Sequence, residues 1–200
     1  MNYFRILFLF LILTARLTAE EPESKLELTA GLSLGRADYE EKGRSLPVES
    51  DWTATQVEAM VRAGWSFSSY ELRGTLRLSE SREEAETWTL DGERVQRNDL
   101  RVTSVFADVE VGLHDTGERR FFLTPLVGIL HGAQFYDRSD FISLDGEPRF
   151  TDATVTEEVE TFSSTLGLLG RVDLRDRLTW EYRAEAAWGL WSGAYNDGVR

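Results

Sequence analysis

QVEAMVRAGWSFSSYELRGTLRL, residues Gln56–Leu78, is two runs of alternating apolar and polar residues folded back on each other at Ser68-Ser69. Val57, Ala59, Val61, Ala63, Trp65 and Phe67 share one face, and Gln56, Glu58, Met60, Arg62, Gly64 and Ser66 share the other. Past the turn, Tyr70, Leu72, Gly74, Leu76 and Leu78 resume the apolar face, opposite Glu71, Arg73, Thr75, Arg77 and Ser79. A period of two makes each run a β-strand with one face in an apolar medium and one in a polar medium. A soluble sandwich also alternates, but its wet face has no need of an Arg-Glu lattice at mid-strand. Here the polar side carries charge at mid-strand, and the pattern recurs along the chain. Those two features predict an all-β, antiparallel up-and-down transmembrane β-barrel.

Five more strands follow the same rule, making seven. Lys25–Arg36 places Leu26, Leu28, Ala30, Leu32 and Leu34 on one side. About Leu100–Leu113, Val105, Ala107, Val109, Val111 and Leu113 point outward, and Phe106, Asp108, Glu110 and Gly112 inward. About Arg119–Phe135, the outward set is Phe121, Leu123, Val127 and Ile129. About Val159–Leu174, it is Phe162, Leu166, Leu168, Val172 and Leu174. Leu178–Trp191 opposes Trp180, Tyr182, Ala184, Ala186, Trp188 and Leu190 to Thr179, Glu181, Arg183, Glu185 and Ala187.

The connections alternate in length, as in outer-membrane barrels with short turns on one side and long loops on the other. Short links fall at Ser68-Ser69, His114–Glu118 and Arg175–Arg177; long ones at Ala37–Thr55, Glu80–Asp99 and Tyr136–Glu158. Asp91-Gly92 and Asp145-Gly146 sit in the long ones and read as type I′ tips of two-stranded extensions, with Asn196-Asp197-Gly198 as a third. Aromatic residues gather at both strand ends. Trp65, Phe67, Tyr70, Phe121 and Trp180 lie near short turns, and Trp188, Trp191, Tyr195, Phe135 and Tyr136 near long loops, which predicts two interfacial girdles. Seven strands is an odd number and bacterial single-chain barrels are even, so at least an eighth strand beyond Arg200 is expected.

Residues 1–19 have the layout of an export signal: basic Arg5, the apolar run Ile6–Leu13, then Leu17-Thr18-Ala19 before Glu20-Glu21. The barrel is assigned to 20–200. No later run reaches the ~20 apolar residues of a membrane helix. The absence of cysteine removes any disulfide framework or thiolate metal site. The formal charge is −13, and losing the two positive charges of Arg5 and Arg16 with the signal takes it to −15, which argues against a nucleic-acid partner. Lys25 and Lys42 are the only lysines. The remaining cations are arginines, which suit forked contacts with carboxylates or phosphates.

The inward positions assemble a charge network of Glu58, Arg62, Glu71, Arg73, Arg77, Asp108, Glu110, Arg171, Glu181, Arg183 and Glu185. The turn at Ser68-Ser69 sets Arg77 opposite Met60, and Arg73 opposite Gly64, where the missing side chain leaves room for a guanidinium. Leu174 opposite Leu178 sets Arg171 against Glu181. The expected role is a salt-bridge plug filling a narrow barrel. His131 has Asp137, Ser139 and Asp140 nearby, but it shares a strand face with outward Ile129, which aims it away from the interior. The acidic clusters Glu80, Glu83, Glu84, Glu86 and Glu157, Glu158, Glu160 read as hydrated loops, and no metal-ligand spacing is present.

The signal, the alternating strands, the loop lengths and the girdles together resemble the small outer-membrane β-barrel proteins of Gram-negative bacteria. The resemblance covers nearly all of the chain after the signal. It implies the outer membrane as location, lipid and lipopolysaccharide as surroundings, and the barrel-assembly machinery as a partner; it transfers no functional residue. The function expected is non-enzymatic and without cofactor, a barrel whose acidic extracellular loops serve envelope structure or surface interaction. The alternatives are a narrow transport pore with an Arg/Glu-lined lumen and an extracellular-rim hydrolase using His131. A soluble lipocalin-like barrel would have an apolar interior, the inverse of this pattern.

Overall fold

The alternating runs form strands throughout. The computed structural model describes residues 13–21, 24–42, 47–67, 70–113, 121–175 and 178–196, with side chains for these apart from 13–25, 121–122, 171 and 173–181. The strands are β1 (Leu13–Glu21), β2 (Ser24–Lys42), β3 (Val48–Phe67), β4 (Tyr70–Ser81), β5 (Glu84–Leu90), β6 (Glu93–Leu113), β7 (Phe121–Ser143), β8 (Arg149–Thr151), β9 (Val155–Arg175) and β10 (Leu178–Asn196). All pairings are antiparallel, and the described residues contain no helix. The sheet runs β1-β2-β3-β4-β6-β7-β9-β10; β5 fits between β3 and β6, and β8 pairs only with β7. Chain order therefore matches spatial order, as in a meander.

Register follows from the turns. Phe67 pairs with Tyr70, Gly64 with Arg73 and Met60 with Arg77, as two central residues at the bend require. In the last hairpin Glu181 is opposite Arg171, although by a different route from the one expected. Leu178 pairs with Arg175 rather than Leu174, and a shift between Leu178 and Thr179 restores the phase. Residues 13–21, which overlap the segment read as the export signal, pair with β2 along Ser24–Leu32. β1 and β10 are the two edges of the sheet, and no pairing joins them among the described residues.

The long connections expected from the sequence are mostly strand. β2 continues to Lys42, β3 begins at Val48, and β5 and β6 form a hairpin within what read as the loop 80–99. β7 reaches Ser143 and β9 starts at Val155. The Asp91-Gly92 tip has both residues at positive φ (54° and 83°), as a type I′ turn needs. The Asp145-Gly146 tip does not, since only Gly146 has positive φ (84°); residues 144–148 form a longer bend between β7 and β8. The short links 68–69, 114–120 and 176–177 lie outside the described residues, as do Asp197-Gly198 and Arg200.

The sheet curls so that one face encloses an interior. Arg183 on β10 bonds Glu110 on β6 across two intervening strands, and Tyr39 on β2 stacks with Tyr136 on β7 at 5.3 Å. Inside and outside then differ sharply along the strands. In the lower half, from Leu26 to Leu34 in β2, Val57 to Phe67 in β3 and Val105 to Leu113 in β6, apolar side chains face out. Val61 is 55% exposed, Leu76 44% and Leu168 48%, while Arg73, Thr75, Asp108 and Glu110 are buried. In the upper half the chemistry exchanges faces with no change of strand phase. Arg36, Asp51, Thr53, Thr55 and Arg101 now face out, and Trp52, Ala54, Leu100, Val102 and Tyr136 form a buried apolar cluster inside.

Candidate functional site

The interior has two storeys. The lower one is the charge network, carried on inward positions of β3, β4, β6 and β10. Arg73 Nε and one terminal nitrogen donate to Glu71 Oε1 and Oε2 at 2.7 and 2.8 Å, a forked pair on one strand face. A Cβ on Gly64 would sit 3.3 Å from Glu71 Oε1, so the space that glycine leaves is taken by the fork. Arg77 lies 3.6 Å from Asp108 and 5.7 Å from the Phe106 ring centroid. Arg183 donates to Glu110 and, at 2.7 Å, to Glu185. Arg62 donates to Thr75 Oγ1 at 3.3 Å.

These side chains do not fill the space. A cavity of about 420 Å³ lies between β2, β3, β4, β6 and β10 and is lined by Glu58, Arg62, Arg77, Asp108, Arg183 and Glu185 among others. Arg77 Nε, Asp108 Oδ1, Glu110 Oε2, Thr165 Oγ1 and Arg183 Nε are buried and meet no partner among the described residues. Arg171 and Glu181 face each other in register, but their side chains lie outside the described set.

The upper storey was not anticipated from the sequence. Glu86, expected in a hydrated acidic loop, has no solvent exposure. Its Oε1 accepts from Ser50 Oγ at 2.8 Å, and its Oε2 from Asn98 Nδ2 and Arg138 Nε, both at 2.8 Å. Arg138 also donates to Glu157 at 3.0 Å and packs 5.6 Å from the Trp88 ring centroid. A buried carboxylate needs such a set of donors, because desolvation otherwise drives it neutral. The other acidic residues scatter, Glu80 to within 3.7 Å of Arg101 and Glu157 to Arg138. Among the described residues no group of three or more acidic or histidine side chains is placed to hold a metal.

Beneath this network, Trp52, Ala54, Leu100, Val102 and Tyr136 form the buried apolar cluster, with Ala37, Tyr39 and Val159 packed against them. Burial raises the Tyr39 phenol above its ordinary pKa, helped by its hydrogen bond to Glu41. Burial raises Tyr136 as well, with the negative charge of Glu157 adding to it. Burial alone would lower Arg138, but Glu86 outweighs it and the guanidinium stays charged. The signal that could have located this storey is the strand phase. The alternation of Ser50-Asp51-Trp52-Thr53-Ala54-Thr55 continues that of Gln56–Phe67 with the polarity of the faces exchanged.

Of the expected girdle residues, Tyr136 turns inward and is buried in the apolar cluster, because it stands one position out of phase with the outward Phe135; Trp65, Phe67, Tyr70, Trp188, Trp191 and Tyr195 are exposed on the outer face. Trp65, Phe67 and Tyr70 form a row with centroids 5.5 and 6.2 Å apart. Trp188, Trp191 and Tyr195 are exposed on β10, where a shift between Gly189 and Trp191 sets both tryptophans on one face. The side chains of Phe121 and Trp180 lie outside the described set. His131 is exposed and points away from the interior beside Ile129. Asp137 is engaged elsewhere, 3.5 Å from Arg101 and accepting from Thr156 at 2.8 Å. No protein-family model, curated protein or solved structure matches the chain.

Proposed function

We propose that this chain is a non-enzymatic outer-membrane β-barrel, exported by residues 1–19, whose lower strand halves cross the bilayer and whose upper halves stand outside it. The supporting observation is the exchange of chemistry between faces at constant strand phase. A strand with one phase and two outer chemistries has two outer media. Outward apolar residues span about 9–11 positions per strand, the length one tilted crossing needs. In water the lower belt would expose a continuous apolar surface far beyond the few hundred Å² that soluble monomers tolerate. Above it, outward Arg, Asp, Glu and Thr suit water and lipopolysaccharide headgroups. The barrel-assembly machinery and envelope lipid are then its partners, and the acidic outer storey its surface for envelope or environmental contact.

The rival pore has the lower cavity in its favour and the Trp52–Tyr136 apolar cluster against it. The rim hydrolase has His131 on the outer wall, where Asp137 is already engaged by Arg101 and Thr156. The test is expression of the full chain in a Gram-negative host, followed by density-gradient fractionation and reconstitution in planar bilayers. The reading expects outer-membrane density, a heat-dependent shift in gel mobility and no conductance steps. Recovery in the soluble periplasmic fraction would overturn it.

A further inference from the structure

We infer that the lower cavity is a binding site for a small zwitterion whose ammonium and carboxylate are held apart by a short spacer. Two of its charges make no direct ion pair among the described residues, although Arg77 lies within electrostatic reach of Glu58, and Asp108 and Glu110 within reach of Arg62. Arg62 makes only the hydrogen bond to Thr75 and a 4.0 Å contact with Met60 Sδ, and Glu58 makes no hydrogen bond or ion pair. Every other described charge on the cavity wall is paired: Arg77 with Asp108, and Arg183 with Glu110 and Glu185. Cation and anion sit four residues apart on one face of β3, so their Cα atoms are about 13 Å apart along the strand. Met60 lies between them as an apolar wall, and Gly31, its partner on β2, adds no side chain to narrow the space.

An uncompensated charge in a confined interior is costly, and it is retained where something else compensates it. A lone anion at Arg62 would leave Glu58 without a direct ion pair, and a lone cation at Glu58 would leave Arg62 without one. A molecule carrying both meets the two, with its carboxylate forked on the guanidinium and its ammonium on Glu58. The wall has further unused groups, since Asp108 Oδ1 and Arg77 Nε are buried without a partner and the Asp108 side chain is 1% exposed. The buried apolar cluster of Trp52, Ala54, Leu100, Val102 and Tyr136 lies further along the same inner face, above the cavity.

The probe is 6-aminohexanoate, titrated calorimetrically into the full chain refolded in a nonionic glucoside detergent. Hexanoate and hexylamine serve as the single-charge comparisons. Saturable binding of the zwitterion is expected, with each comparison about tenfold weaker or more, the scale of one partly buried ion pair. Glu58→Gln should weaken 6-aminohexanoate and leave hexanoate unchanged; Arg62→Gln should do the same relative to hexylamine, and Arg62→Lys should recover most of the loss. No saturable heat up to about 10 mM, which leaves only water in the cavity, overturns the proposal, as does hexanoate binding equally well. The comparison of ligands on the unsubstituted chain needs no variant to fold. It also does not depend on membrane placement, which fractionation tests by itself.

Discussion

Arg138 on β7 reaches across the top of the lumen to Glu86 on β5, with Nε 2.8 Å from Oε2, and the carboxylate it meets is fully buried. The two are 52 residues apart in sequence. Removing one partner strands a charge in a dry site, which costs about 3–5 kcal/mol, whereas replacing both with apolar residues costs much less. Arg138→Met should therefore lower the urea midpoint sharply, and Glu86→Leu with Arg138→Met should recover part of the loss. A double variant no more stable than the single would show that the pair contributes beyond mutual compensation.

Trp52 is 4% exposed and sits in the apolar cluster beneath that pair. Trp52→Ala should cost about 3–5 kcal/mol through the void it leaves. With Tyr136→Ala added, the cluster loses both of its fully buried rings, and conductance steps should appear in planar bilayers where the unsubstituted chain is expected to give none. A silent double variant would mean that the Glu86–Arg138 layer closes the lumen unaided.

Val127 and Val61 stand on the apolar belt, at 61% and 55% exposure. In bilayer hydrocarbon an Arg at such a site costs about 2–4 kcal/mol near the midplane. Val127→Arg should reduce the folded fraction in phospholipid vesicles accordingly. Were that face in water, the same change would be nearly neutral, so an unaffected variant argues against lipid around the belt.

Gly128 and Gly74 make a matched pair of substitutions. A Cβ on Gly128 would lie 2.5 Å from the Val109 carbonyl oxygen and 2.7 Å from Glu110 Cγ, and backbone cannot yield cheaply there. At Gly74 the nearest atom is 3.9 Å away. Gly128→Ala should destabilise by about 1–3 kcal/mol, while Gly74→Ala should stay within about 0.5 kcal/mol of the parent. Equal effects at the two sites would contradict the close approach of β6 and β7.

Tyr39 and Tyr136 keep their protons to higher pH in the fold than in the unfolded chain, where tyrosine titrates near 10. The folded state then binds more protons than the unfolded state above that point, so stability is level below about pH 10 and declines as pH climbs past it. Urea midpoints from pH 8 to 11 should fall in the upper part of that range, and Tyr39→Phe with Tyr136→Phe should flatten the decline. An unchanged slope in that double variant would place the alkaline sensitivity elsewhere.

Strand existence and sidedness were legible because they depend on neighbours in sequence. The alternation in Gln56–Leu78 assigns each residue a face before any packing is known, and a two-residue bend then sets Gly64 opposite Arg73 and Met60 opposite Arg77. Asp91-Gly92 was legible for the same reason, since its backbone requirement is local.

The upper storey was not legible, because its meaning depends on which strands meet overhead. Glu86 lies among acidic neighbours and takes its donors from Ser50, Asn98 and Arg138 on three other strands, so no window of sequence contains its partners. Which lumen charges pair is likewise a matter of curvature. Arg183 meets Glu110 only because the sheet rolls β10 round toward β6, while Arg62 and Glu58, on the same lattice, make no direct ion pair among the described residues. Periodicity assigns a side chain to a face, whereas the roll of the sheet determines what that face encloses.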